Sequence, residues 1–78
     1  MACSNLTRAK RAFVTVLLAT AAAFNLVLDV TRDSEDKYLL SAYRKVAKKA
    51  HPDKGGCTQA FQTLQNAKET WDIARENN

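Results

Sequence analysis

Seventy-eight residues suffice for one domain with a modest core and little more. Hydrophobic residues make up 46% and charged residues 26%, a balance that excludes a disordered tail, while two glycines and one proline leave too few turn residues for a many-stranded sandwich or barrel. The net charge of +4 points to an acidic partner surface, nucleic acid or anionic lipid without choosing among them, and the widely separated Cys3 and Cys57 support neither a disulfide framework nor, with a single histidine, a zinc site.

In chain order, residues 1–11 are polar and basic, with Arg8, Lys10 and Arg11. From Ala12 to Leu28 there is no charge, and the first acid is Asp29. A basic start before an apolar run is compatible with a secretory signal, a mitochondrial transit segment or a short membrane segment. The bland alternative is a core or partner-facing helix. Phe13, Leu17, Thr20, Phe24, Val27 and Leu28 fall at helical spacing. Thr15, Thr20 and Asn25 weigh against lipid, where polar groups are costly, so the helix is the preferred expectation.

Residues 29–36, DVTRDSED, break the pattern. Asp33 or Ser34 is the expected N-cap of a second helix starting near Glu35, with Glu35 and Asp36 in a first turn that favours negative charge. Leu39, Ala42, Tyr43, Val46, Ala47 and Ala50 share one side of that helix; Lys37, Arg44, Lys45, Lys48 and Lys49 share the other. Pro52 biases His51 away from helical geometry and ends the helix at about Ala50. Lys54, Gly55 and Gly56 complete a loop. A last helix starts near Thr58, with Ala60, Phe61, Leu64, Ala67, Trp71 and Ala74 as its apolar stripe. The polar end, RENN, is expected to fray. Two amphipathic helices joined by a short loop pack as an antiparallel hairpin, which the first helix would cover.

His51, Pro52 and Asp53 invite a chemical reading, and most such readings fail. Catalysis needs a nucleophile within reach of the histidine and a site for a developing charge, and one histidine in a helical hairpin supplies neither. No enzyme, metal site or cofactor is expected. A helix-turn-helix would carry its basic residues after the turn, whereas here they precede it, so base readout is not expected. Taken alone, the triplet is a stiff helix stop.

The context on both sides changes the weighing. LLSAYRKVAKKAHPDKGG at 39–56, FNLVLDV at 24–30 and AFQTLQNAKETWD at 60–72 together resemble the J domain, the DnaJ-like cochaperone family, with FNLVLDV similar to its first-helix motif. The resemblance implies an all-α fold, an antiparallel hairpin of helices II and III with helix I, extended at its N-terminus, packed across it. Residues 1–23 would be an extension and 24–78 the J domain. It also implies a partner, a heat shock protein 70 class chaperone whose ATPase the domain stimulates without performing chemistry or binding a small substrate. His51, Pro52 and Asp53 then form the signature loop, Lys54 continues it, and Arg44, Lys45, Lys48 and Lys49 steer toward an acidic patch. Leu28, Leu39, Tyr43, Val46, Phe61, Leu64, Ala67 and Trp71 take core positions.

There are departures from the family pattern. Asp29 replaces a usual glycine, Leu40 and Ser41 replace usual basic residues, Ala50 a frequent aromatic, Lys68 a common tyrosine and Trp71 an aliphatic residue. No match to the family's fourth helix is seen. Alternatives are a J-like interaction module without ATPase stimulation, using the apolar 12–28 stretch, and a basic nucleic-acid binder. The expected location is cytoplasmic, with a mitochondrial or membrane-associated alternative through the N-terminal segment, where residues 12–28 would make any membrane contact.

Overall fold

The computed structural model describes residues 5–76, which form three α-helices: α1 (Asn5–Ala23), α2 (Asp36–Ala50) and α3 (Thr58–Glu76). A 3-10 turn, Pro52–Lys54, follows α2. The fold is all-α. α2 and α3 form the expected antiparallel hairpin: Asp36, at the start of α2, meets Arg75, near the end of α3, at 3.2 Å, and His51 meets Phe61 at the other end. α1 runs opposite to α3, since the residues that line grooves with its first turns, Thr70 and Ile73, lie near the α3 C-terminus.

α1 supplies much of the core. Its Phe13, Val14, Leu17 and Ala21 are buried with Leu39 and Val46 of α2 and Leu64 and Trp71 of α3. Along α1 the residues Ala9, Ala12, Val16, Ala19 and Ala23 recur at alternating steps of three and four, as do Ala60, Thr63, Ala67, Thr70 and Ala74 along α3. Small side chains at coiled-coil spacing let two backbones approach closely, and α1 meets α3 more extensively than α2 does.

Trp71 is the largest side chain in the core, fully buried and stacked on Phe13 at a ring separation of 4.9 Å. Its indole Nε1 has no hydrogen-bond partner among the described residues, which costs about 1–3 kcal/mol. Burying an aromatic side chain of roughly 150–250 Å² at about 25 cal/mol per Å² is worth roughly 4–6 kcal/mol, so burial wins. The ring that departs from the family pattern is thus matched by a residue of α1. Tyr43 lies 5.9 Å from the same Phe13 ring.

The first helix ends earlier than its apolar run. The Leu26 amide donates to Ala21 O at 2.8 Å and the Asn25 amide to Ala22 O at 3.2 Å, with Asn25 at φ 60°. This is a Schellman stop, with asparagine in the left-handed position usually held by glycine. The helical stripe expected to include Phe24, Val27 and Leu28 therefore breaks, and residues 12–28 are not one helix. From Phe24 to Val30 exposure alternates instead: Phe24, Leu26, Leu28 and Val30 are half-buried, while Val27 is 92% exposed. Leu28 packs at the edge of the core with period two. Among the described residues no helix is long and apolar enough to cross a membrane.

The start of α2 also differs by a residue. Ser34 Oγ accepts from the Thr31 amide at 2.8 Å and Thr31 Oγ1 from the Asp33 amide, so neither expected cap side chain caps the helix. Glu35 takes the cap position through its backbone alone. Asp36 in the first turn receives Lys10 of α1 at 3.8 Å as well as Arg75, tying the three helices together at one end.

Of the expected core, Leu39, Val46, Leu64 and Trp71 are fully buried; Leu28, Tyr43 and Ala67 are half-buried against them. Phe61 is half-buried outside this cluster, at the hairpin corner. It lies one turn into α3, where the loop carries it past the end of the core and onto His51. The last two residues of RENN lie outside the described residues, while Arg75 and Glu76 are helical.

Candidate functional site at the His-Pro-Asp corner

The corner is built by local chemistry. His51 donates its amide to Ala47 O at 2.9 Å, closing α2. Pro52 then occupies the first position of the 3-10 turn, where a missing amide costs nothing. The His51 carbonyl accepts from both Lys54 at 2.9 Å and Gly56 at 3.1 Å, and the Pro52 carbonyl accepts from Gly55 at 3.2 Å, so two oxygens fold the loop. Gly55 sits at φ 80°, left-handed, and a Cβ at Gly56 would overlap the Ala50 carbonyl. The two glycines are required for different reasons, one for backbone freedom and one for close approach.

His51 is a structural member of the turn. Its Nδ1 accepts from the Asp53 amide at 3.2 Å, which puts the ring proton on Nε2. The ring meets the edge of Phe61 at a centroid distance of 5.0 Å, which fixes its plane. With the amide engaged, the Asp53 carboxylate is left facing solvent, with its side chain 88% exposed and 3.8 Å from Nδ1, beyond hydrogen-bonding distance. The turn holds one negative charge outward on a stiff support.

Around it lies an open groove with a floor of Tyr43, Ala47 and Phe61 and a rim of Arg44, Lys48 and Lys54. The structure therefore brings His51, Asp53, Lys54, Arg44 and Lys48 to one depression. It separates Lys45, which borders a different groove with Tyr38 and Ser41. Lys49 is exposed outside both, and Pro52 is exposed beside the groove. Tyr43 and Phe61, expected as core, line this floor; the signal in the sequence was the position of Phe61 one turn after the glycine pair. Lys68, where the family commonly has tyrosine, pairs with Asp72 and lies 5.6 Å over the Tyr43 ring. Such a surface can dock an acidic, partly apolar partner and offer it one carboxylate. Among the described residues no group of three acidic, histidine or cysteine side chains could hold a metal ion.

The DnaJ domain family profile matches residues 24–74. The chain belongs to the DnaJ family. This J domain is 50% identical over 44 residues to "DnaJ homolog subfamily C member 18" of Homo sapiens, covering 53% of this chain and 12% of that protein. It is 52% identical over 44 residues to "DnaJ homolog subfamily B member 14" of Mus musculus, with 53% and 12% covered. To "Chaperone protein DnaJ" of Nitrosomonas europaea it is 43% identical over 53 residues, 67% of this chain and 14% of that one. The chain thus spans only a small part of the curated relatives it matches. No solved structure matches. The family match begins at Phe24, so α1 lies outside it while completing the J-domain core.

Proposed function

We propose that this J domain is a cochaperone that docks on a heat shock protein 70 class chaperone and stimulates its ATPase. The observation that carries the proposal is the Asp53 carboxylate, 88% exposed, free of side-chain hydrogen bonds and held on a proline-stiffened turn beside Arg44, Lys48 and Lys54. An arginine of the partner pairs with Asp53, and the cations steer the encounter toward an acidic surface. The J domain contributes no reacting group. It acts by binding more tightly to the partner conformation that hydrolyses ATP.

The test is single-turnover ATP hydrolysis by a purified heat shock protein 70 class chaperone with and without the J domain. The wild-type chain accelerates hydrolysis, and Asp53→Asn abolishes the acceleration. Helicity and melting temperature stay near wild type, because the side chain supports nothing in the fold. Acceleration that persists in Asp53→Asn would remove Asp53 from the mechanism. A wild-type chain that binds the chaperone but leaves hydrolysis unchanged would make it an interaction module instead.

A further inference from the structure

α1 and α3 share a face that α2 does not border. Two shallow depressions lie along it, one at each end. The first is walled by Leu6, Ala12 and Ile73, with Arg8 at its rim. The second is walled by Val16, Ala19 and Ala60 and bordered by Thr20. The small residues alone say only that the two helices pack closely. Two further observations point to an occupant.

Thr20 is only 7% exposed, yet its hydroxyl has no hydrogen bond among the described residues. Thr15, Thr63 and Thr70 each bond back to the carbonyl four residues earlier; Thr20 does not. Among the described residues the unpartnered side-chain group that is fully sealed is Trp71 Nε1, so the Thr20 hydroxyl is reached from the depression it borders. At the other end Ile73 is 57% exposed, an apolar knob beside an exposed Arg8 that makes no ion pair among the described residues.

The two ends are complementary in register. α1 and α3 are each 19 residues long, with midpoints at Val14 and Ala67. Ile73 lies six residues beyond Ala67, about 9 Å at 1.5 Å per residue. Phe61 lies six before it, at the level of Ala60 and the second depression. On α1, Thr20 lies six residues after Val14 and Arg8 six before. A two-fold axis in the plane of the face, perpendicular to the helices at these midpoints, seats Ile73 of each copy against the second depression of the other. The same operation brings the Arg8 guanidinium to the Thr20 hydroxyl. We propose that this face is the interface of a homodimer, α1 on α1 and α3 on α3, each pair antiparallel.

The test is sedimentation velocity of the full chain over a dilution series, with disulfide trapping as the second measurement. The wild type shows a reversible monomer–dimer equilibrium, and Ile73→Asp weakens its Kd at least tenfold with unchanged circular dichroism. In a Cys3→Ser, Cys57→Ser background, Ala12→Cys, near the axis, forms a covalent dimer on oxidation. Leu18→Cys, exposed on another side of α1, does not. A wild type that stays monomeric up to its solubility limit overturns the proposal. So does an Ile73→Asp variant that dimerises as tightly, or equal trapping at positions 12 and 18.

Discussion

Replacing Phe13 by alanine asks whether a helix outside the family-matched span is part of the fold. Phe13 is completely buried, stacked on Trp71 at 4.9 Å and tilted against Tyr43 at 5.9 Å. Phenylalanine-to-alanine changes in cores cost about 3–5 kcal/mol, and loss of two aromatic contacts places this one in the upper half, roughly 4–5 kcal/mol. A 78-residue chain at roughly 0.05–0.15 kcal/mol per residue has about 4–12 kcal/mol of stability in total. One side chain of α1 therefore carries about a third of the stability or more. In urea unfolding followed by circular dichroism, the midpoint falls steeply with little change in slope. The melting temperature drops by roughly 16 °C or more, at about 4 °C per kcal/mol or greater. Leu18→Ala, 38% exposed on the same helix, stays within about 0.5 kcal/mol of wild type. A loss below about 1 kcal/mol for Phe13→Ala, close to that of Leu18→Ala, would refute the claim that α1 completes the core.

Three further outcomes follow from the corner and the helix ends. Neutralising Lys48 and Lys49 slows association with the chaperone at low salt, and the difference from wild type closes as the Debye length shrinks from about 10 Å at 0.1 M to about 3 Å at 1 M; stopped-flow binding across that range checks it. Gly56→Ala destabilises more than Gly55→Ala in urea titration, because the first forces backbone overlap with Ala50 and the second costs about 1–2 kcal/mol of left-handed strain; the reverse order would contradict the loop geometry. Asp36→Asn costs only about 0.5–1 kcal/mol, since both of its ion pairs are partly exposed, and the cost shrinks in high salt when stability is compared in the two buffers.

The hairpin was legible because its signals are local and agree. The 3.6-residue stripes of α2 and α3, the proline after Ala50 and the paired glycines all mark the same boundaries, and the 3-10 turn falls between them. The end of α1 was not, because Phe24, Val27 and Leu28 continue a helical pattern by coincidence while Asn25 turns the backbone left-handed. Periodicity reports which spacing fits; it does not report a single residue leaving the helical basin. The cap of α2 was misplaced for a similar reason: a serine or threonine hydroxyl serves either a helix or a loop amide, and here Ser34 Oγ accepts from the Thr31 amide and Thr31 Oγ1 from the Asp33 amide. At the site, the triplet and its basic flank could be read as residues, but the division of Lys45 from Arg44 and Lys48 depends on how the chain packs beside α2. Phe61 looked like core because amphipathic spacing does not say where a core ends.

Residues Val27 to Val30 join α1 to the hairpin without making a hydrogen bond to any described residue. Leu28 and Val30 pack against the edge of the core instead, so the joint is held by side-chain contact and not by a backbone ladder. What it supplies is proximity: it keeps α1 at a high effective concentration over the hairpin, as a short tether does for a linked binding module. Lengthening such a tether changes the entropy of closure only slowly. Drift in its length is therefore tolerated so long as α1 can still reach Trp71 and Leu28 and Val30 keep their places at the edge of the core.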